Sequence, residues 1–96
     1  MTLASGFLIP HHIVARDVGA ETVILNLDSG IYFGLDPVGA RFWQLIAEGK
    51  TLAEIRDEML EEYEVTPAQL ENDLLELVNE LLAKNLVTER AKYVES

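Results

Sequence analysis

The residues that could perform chemistry are few in this chain, and they are poorly placed for it. His11 and His12 are the only histidines, and as neighbours on a strand they would point to opposite faces, so they could not share a metal ion. The absence of cysteine excludes disulfides and thiolate catalysis. No serine stands in a turn that exposes an acyl-transfer nucleophile, and Ser29 is better explained as a turn residue beside Gly30. We therefore expect a protein that is not an enzyme, with no metal and no cofactor.

A row of carboxylates recurs at helical spacing in the middle of the chain. Glu54, Asp57, Glu58 and Glu61 stand at i, i+3, i+4 and i+7, as carboxylate metal sites sometimes do. No histidine accompanies them on any predicted helix, so a solvated helix face is favoured. Such a face could equally attract a basic partner.

Length and charge limit the classes of function. With 96 residues there is room for one domain, and 49% apolar with 25% charged residues is typical of a folded one. The net charge of -10 argues against nucleic acid as a partner, because such binding draws its affinity from Lys and Arg. No apolar stretch could span a bilayer, and the opening residues lack the basic start of a signal peptide. We expect a cytoplasmic protein with no membrane partner.

The elements that would position a site begin with three strands. Residues 11–18 and 22–28 are rich in β-branched side chains, and residues 31–35 form a third, uncharged run. Asp28, Ser29 and Gly30 predict a tight hairpin between the last two, because glycine supplies the positive φ that such a turn needs.

The first of three helices is predicted from Pro37 to about residue 48. Asp36 fits its N-cap, and proline fits the first helical position. Its apolar face, which we expect to be buried, is Val38, Phe42, Leu45 and Ile46. Most of the aromatic cluster is also expected in the core; this cluster is Tyr32, Phe33, Phe42 and Trp43.

The second and third helices begin with capping boxes, Thr51 with Glu54 and Thr66 with Gln69. Asn85 fits a C-terminal cap of the third helix, and residues 86–88 could add a short strand or an extended tail. The sequence thus predicts an α+β domain with a three-stranded antiparallel sheet followed by three helices, a topology that suits a winged helix-turn-helix.

One edge of the predicted sheet lacks protection. Natural edge strands are usually blunted by charge or proline. The first strand carries Arg16 and Asp17 and follows Pro10, whereas residues 31–35 carry no charge. Such an edge can accept an extended peptide whose backbone completes the ladder. The alternative is that the third helix or the C-terminal tail covers it.

The third helix supplies a candidate wall for a groove beside that edge, because its apolar arc is broader than one packing contact requires. The border of the arc assigned to the groove is Leu70, Leu74 and Leu77. Asp73, Glu76 and Glu80 flank this border and would form an acidic rim. An acidic rim favours a peptide with Lys or Arg near its hydrophobic anchors.

Two stretches are distinctive: LDSGIYFGLDPVGARFWQLI at residues 27–46 and TLAEIRDEMLEEYEVTPAQLENDLLELVNELLAKNLV at residues 51–87. They join a hairpin to a Gly-Leu-Asp-Pro-Val-Gly-Ala helix start, a Thr-Leu-x-Glu-Ile second helix and an Asp-Leu-Leu third helix. Over about residues 11–88, within a single domain of residues 1–96, the chain resembles the PqqD-like family of leader-peptide-recognition proteins, or RiPP recognition elements.

The resemblance implies a winged helix-turn-helix whose leader peptide pairs antiparallel with the third strand and packs on the third helix. Carried over by position, the pairing strand would be Ile31, Tyr32, Phe33, Gly34 and Leu35. The groove would be lined by Leu70, Asp73, Leu74 and Leu77, with Glu76 on its rim.

Stand-alone members are similar to the recognition subunits of lasso-peptide antibiotic biosynthesis. The resemblance thus implies a non-catalytic protein that binds the leader region of a precursor peptide and presents it to a leader peptidase, a transglutaminase-like cysteine protease. The alternative within the family is a peptide chaperone for a radical-enzyme pathway such as pyrroloquinoline quinone synthesis. The alternative outside it is a winged-helix DNA-binding regulator, whose recognition helix should be basic, whereas the second and third helices here are mainly acidic.

Overall fold

The computed structural model describes residues 5–19 and 21–90, and the predicted order of strands and helices is confirmed there. In chain order the elements are β1 (Gly6–Leu8), β2 (Ile13–Val18), β3 (Glu21–Asn26), β4 (Tyr32–Leu35), α1 (Pro37–Ala47), α2 (Leu52–Glu62), α3 (Pro67–Ala83) and β5 (Thr88–Arg90). The strands β2, β3 and β4 form an antiparallel sheet in that order, which places β4 at an edge. The fold is α+β, as the sequence predicted.

The hairpin between β3 and β4 closes as expected. Gly30 adopts a φ of 76°, and its N–H donates to the Asn26 carbonyl at 2.8 Å. The left-handed cap predicted after α3 is also confirmed, because Asn85 has a φ of 59°. Both turns therefore depend on residues that tolerate a positive φ.

The start of β2 differs from the prediction. The strand begins at Ile13, whose N–H donates to the Pro10 carbonyl at 2.9 Å, so His11 and His12 lie in a turn before the strand. The two histidine rings meet edge to face with centroids 6.4 Å apart. Placing them on opposite faces of a strand was therefore wrong, because the turn at proline delays the strand.

A two-stranded ribbon was not predicted, although a short strand was suggested at residues 86–88. The strand β5 lies slightly later, at Thr88–Arg90, and pairs antiparallel with β1, with Gly6 opposite Arg90. The three residues of β1 show too little alternation to be recognised, and the two strands lie at opposite ends of the described chain. The ribbon draws the C-terminal segment to β1, so the alternative in which that segment covers β4 is wrong for the residues described.

The helix starts follow from their caps. Thr51 and Glu54 form the complete capping box that was predicted for α2. The Thr66 hydroxyl accepts from the Gln69 N–H at 3.2 Å, but the glutamine side chain donates to Asp73 at 3.0 Å. The second box is therefore only half formed, because the Gln69 amide bonds one turn along α3 and not back to the Thr66 backbone.

The core lies between one face of the sheet and the three helices. Its fully buried members include Ile24, Phe42, Leu45, Ile55, Met59, Val78 and Leu81. Val38, on the apolar face of α1, is 41% exposed, contrary to expectation. Most of the aromatic cluster lies in or against the core as predicted, and Tyr32, at 73% exposed, is the exception. Tyr32 pairs with Leu25 on the face of the sheet that turns away from the helices.

The described residues contain no group of three or more His, Cys, Asp or Glu that could hold a metal ion. Among the helices described here, none is both long enough and apolar enough to cross a membrane.

Candidate functional site

The free edge of β4 is defined by the direction of its backbone hydrogen bonds. The Asn26 N–H donates to the Ile31 carbonyl at 2.9 Å, so the polar groups of Ile31 point toward β3. Direction alternates along an antiparallel strand, so the polar groups of Phe33 and Leu35 also point toward β3. The groups that point away from the sheet are therefore those of the residues between them.

Those residues are Tyr32 and Gly34, and no described strand lies on the outer side of β4 to bond with their outward backbone groups. Gly34 is exposed, lacks a positive φ, and a Cβ added to it would meet nothing within 4 Å. The fold itself therefore does not require a glycine here. Glycine inside a strand often marks a place where another backbone or a ligand approaches closely.

The opposite edge of the sheet, at β2, is charged. Arg16 and Asp17 are both exposed, and the Asp17 carboxylate accepts a hydrogen bond from the Thr22 hydroxyl at 3.0 Å. Charge on an edge strand discourages pairing with another chain. The two edges therefore differ in the way that the sequence predicted.

A solvent-open cavity of about 500 Å³, here called the groove, lies between β4 and α3 beside the free edge. Eight of the ten predicted site residues line it, namely Phe33, Gly34, Leu35, Leu70, Asp73, Leu74, Glu76 and Leu77. The fold thus brings residues from two separate parts of the sequence to one surface. The remaining two, Ile31 and Tyr32, lie farther along β4.

The start of α1 closes one end of the groove and was not predicted to take part. Asp36, Val38 and Gly39 line this end, and the Asp36 carboxylate accepts from the Gly39 N–H at 2.8 Å. The signal was present in the sequence, because a helix that starts directly after the free strand must place its first turn beside it.

The floor of the groove is apolar, but much of it is already packed. Leu70 and Leu74 are each only 4% exposed and belong to the core. Phe33 and Leu77 are half-buried, and with Val38 they supply the apolar surface that remains accessible. The sequence predicted that Leu70, Leu74 and Leu77 would all offer accessible surface. Of these three, Leu77 is the accessible one.

The rim of the groove is acidic. Asp73, Glu76 and Glu80 are all exposed along α3, and Asp73 accepts a hydrogen bond from the neutral side chain of Gln69. No cation among residues 5–19 and 21–90 lies within ion-pair distance of these three carboxylates. Their negative charge is therefore available to a partner.

A second cavity, of about 230 Å³, lies at the hairpin end of β4 and is here called the hairpin cavity. It is lined by Asn26, Ser29, Ile31, Tyr32, Phe33, Lys84 and Leu86. Phe33 contributes to both cavities, and Lys84 Nζ lies 5.7 Å from the centroid of its ring. Lys84 was missed, although it follows Asp73 by eleven residues, close to three helical turns, and so shares the groove side of α3.

The part of the chain that forms the groove matches a known protein family. The family model of coenzyme PQQ synthesis protein D (PqqD) matches residues 21–87. The chain belongs to the PqqD family. The match includes β3, β4 and the three helices, and therefore both walls of the groove, and it confirms the family resemblance seen in the sequence.

Two solved structures are similar to this PqqD-family chain. One is "TbiB1 in Complex with the TbiA(beta) Leader Peptide", with 38% identity and a TM-score of 0.78 over 92% of this chain and 99% of that one. The other is "Lasso peptide synthetase B1 complexed with the leader peptide", with 26% identity and a TM-score of 0.79 over 84% of this chain and 95% of that one. No match was found among curated proteins.

Both similar structures are complexes with a leader peptide. The ten predicted site residues remain predictions as contact residues, although the structure places them along one continuous surface.

Proposed function

We propose that this chain is a non-catalytic recognition protein that binds the leader region of a ribosomally made precursor peptide. The peptide adds as a fourth strand, antiparallel to β4, and its inward side chains pack against α3. The single observation that carries this proposal is the free backbone of Tyr32 and Gly34 beside an apolar groove.

The backbone supplies affinity that does not depend on the peptide's side chains. Tyr32 and Gly34 each offer one N–H donor and one C=O acceptor to an added strand. Because Gly34 has no side chain, the peptide can lie close to this part of the edge.

The groove supplies specificity. Leu77, Phe33 and Val38 can take up apolar side chains that an added strand presents at every second position. Asp73, Glu76 and Glu80 favour Lys or Arg beside these anchors and speed the encounter through long-range attraction.

The bound leader is then presented to a leader peptidase in lasso-peptide biosynthesis, in the cytoplasm where the precursor is made. The likeness to lasso peptide synthetase B1 supports this pathway over service to a radical enzyme such as that of pyrroloquinoline quinone synthesis. The peptidase itself would be a separate cysteine protease of transglutaminase type.

The DNA-binding alternative is disfavoured by charge. The exposed side of α3 is acidic, and phosphate contacts need Lys and Arg. We expect no duplex-DNA binding in a salt-dependent mobility-shift assay.

A proline substitution on the free side of β4 tests the proposal. The N–H of Gly34 points away from the sheet, so Gly34→Pro removes a donor that the peptide needs while sparing the bonds to β3. Phe33→Pro would be a poorer choice, because the Phe33 N–H points into the sheet. The matched control is Gly34→Ala, which keeps the donor and adds a methyl group in open space.

The probe is fluorescein-labelled TbiA(beta) leader peptide, and the measurement is fluorescence anisotropy. We expect saturable binding by the wild type, a smaller loss of affinity for Gly34→Ala, which keeps the donor but adds a methyl group beside the peptide, and binding weaker by about tenfold or more, or about 1.4 kcal/mol, for Gly34→Pro. Circular dichroism verifies that both variants fold. Absence of wild-type binding, or equal affinity of a folded Gly34→Pro variant, would overturn the proposal.

A further inference from the structure

The groove and the hairpin cavity carry opposite charge at the two ends of β4. Asp36 and Asp73 lie at the end where β4 leads into α1. Lys84 lies at the other end, beside the hairpin. A peptide lying along β4 would therefore meet negative charge at one end and positive charge at the other.

Lys84 differs from the other three cations of residues 37–84. Arg41, Lys50 and Arg56 each form an ion pair with a carboxylate of the fold. Lys84 forms none among residues 5–19 and 21–90, even though Glu80 precedes it by four residues, a spacing that suits a Glu–Lys pair. Its ammonium group lies over the Phe33 ring at the mouth of the hairpin cavity instead.

The helix end gives Lys84 one structural reason to be basic. It is the C-cap of α3, where a cation interacts favourably with the helix dipole. This reason does not account for the direction of the side chain, which crosses Phe33 toward a cavity with polar lining from Asn26 and Ser29. A cation, an amide and a hydroxyl around 230 Å³ of space suit a carboxylate-bearing side chain.

We propose that the hairpin cavity is a subsite for an Asp or Glu side chain of the bound peptide, held by Lys84. This inference rests on the proposed strand addition. In an antiparallel arrangement the peptide starts at Asp36 and ends near Ile31, so the acidic residue follows the basic one.

The spacing can be derived from strand geometry. Side chains directed at the groove recur every second residue, and each residue of an antiparallel strand advances about 3.4 Å. The distance along β4 from Leu35 to Ile31 is four residues. The bound segment therefore carries a basic residue at position i, an apolar residue at about i+2, and an acidic residue at about i+4.

A peptide selection tests this order. A displayed library of random twelve-residue peptides is enriched on immobilised full-length protein, and the most enriched sequence is synthesised with a fluorophore, here called the selected peptide. We expect enriched sequences with a basic residue about four positions before an acidic one. Reversal of that acidic residue to Lys should weaken binding about threefold to tenfold.

Two variants with the same change in net charge separate a local effect from a general one. Lys84→Glu reverses the charge in the hairpin cavity, whereas Arg16→Glu does so on the exposed β2 edge. We expect Lys84→Glu to prefer the peptide with the Glu-to-Lys reversal, and Arg16→Glu to keep the wild-type preference.

Each outcome has a distinct meaning. If selected peptides lose affinity on Gly34→Pro but show no acidic position, or if Lys84→Glu and Arg16→Glu behave alike, the subsite is wrong and strand addition stands. If the wild type enriches no peptide, or if the selected peptide ignores Gly34→Pro, strand addition itself fails, and the subsite fails with it.

Discussion

Two acidic surfaces of the helical layer differ in whether their carboxylates form ion pairs with cations of the fold. On the back surface, formed by α1, α2 and the outer side of α3, several carboxylates are paired with cations, among them Glu62 with Arg41 at 2.7 Å and Glu71 with Arg56 at 2.8 Å. On the groove surface, formed by Asp73, Glu76 and Glu80, no described cation pairs with the carboxylates.

The difference shows which charges the fold uses and which it leaves available. Arg41 forms a bidentate contact with Glu62, and this contact lowers the pKa of the Glu62 carboxyl, first through the hydrogen bond and then through charge. Among the described residues, Asp73 and Glu76 have neutral amide partners, Gln69 and Asn72 on the same helix. We therefore expect mutations on the back surface to alter stability slightly, and mutations on the groove surface to alter binding.

The largest effect should come from reversing a groove charge. Asp73→Arg should weaken binding of the selected peptide about tenfold or more, because the variant repels the basic residue that Asp73 attracts. Asp57→Arg makes the same change in charge on the back surface, where Asp57 is exposed and contacts Arg56. Anisotropy titrations of both variants check the expectation, and equal losses would mean that only net charge matters.

A smaller effect is expected from two leucines on opposite sides of α3. Leu77 lines the groove, whereas Leu75, 37% exposed, lies beside Leu52 and Arg56 on the back surface. Leu77→Ala should weaken peptide binding about threefold to tenfold through lost apolar contact, and Leu75→Ala should leave it unchanged. Urea unfolding should show comparable, modest destabilisation of both variants. Loss of affinity in Leu75→Ala would mean that the peptide contacts the back surface of α3, which contradicts binding in the groove.

The dependence of peptide affinity on ionic strength should show the role of the groove carboxylates without mutation. Raising ionic strength from about 0.1 M to about 1 M shortens the Debye length from about 10 Å to about 3 Å. Affinity for the selected peptide should fall about threefold to tenfold, because its attraction to the exposed rim is screened, while backbone pairing and apolar contacts persist. Affinity that does not change with salt would remove the acidic rim from the recognition mechanism.

The smallest effect concerns the Arg41–Glu62 pair. The pKa of the Glu62 carboxyl is lower in the folded protein than in the unfolded chain. Glu62 therefore stabilises the fold above its unfolded pKa, and this stabilisation is lost as pH falls through the folded pKa. Arg41→Gln should raise the Glu62 pKa toward its ordinary value, as measured by NMR titration, and should lower Tm slightly near neutral pH. Peptide affinity should stay the same; a large loss of affinity would show that the two surfaces are coupled.

Much of the site was predictable because its signals are local. An uncharged run at residues 31–35, the hairpin at Gly30 and an apolar arc on α3 each follow from residue types at fixed spacing. Burial was less predictable. Leu70 and Leu74 were expected to offer groove surface, yet packing against the core leaves each only 4% exposed.

The sequence by itself determined the central strands, the three helices with their caps, the uncharged edge strand and the negative charge of α3, because these depend on neighbours along the chain. Only the tertiary structure decided that β5 pairs with β1, that Tyr32 and Gly34 hold the free backbone groups, and that Lys84 faces the hairpin cavity. These features depend on sheet register and on contacts between distant segments, which local spacing does not specify. The difference between the back surface and the groove surface therefore depends on the fold, although the sequence supplies every charge involved.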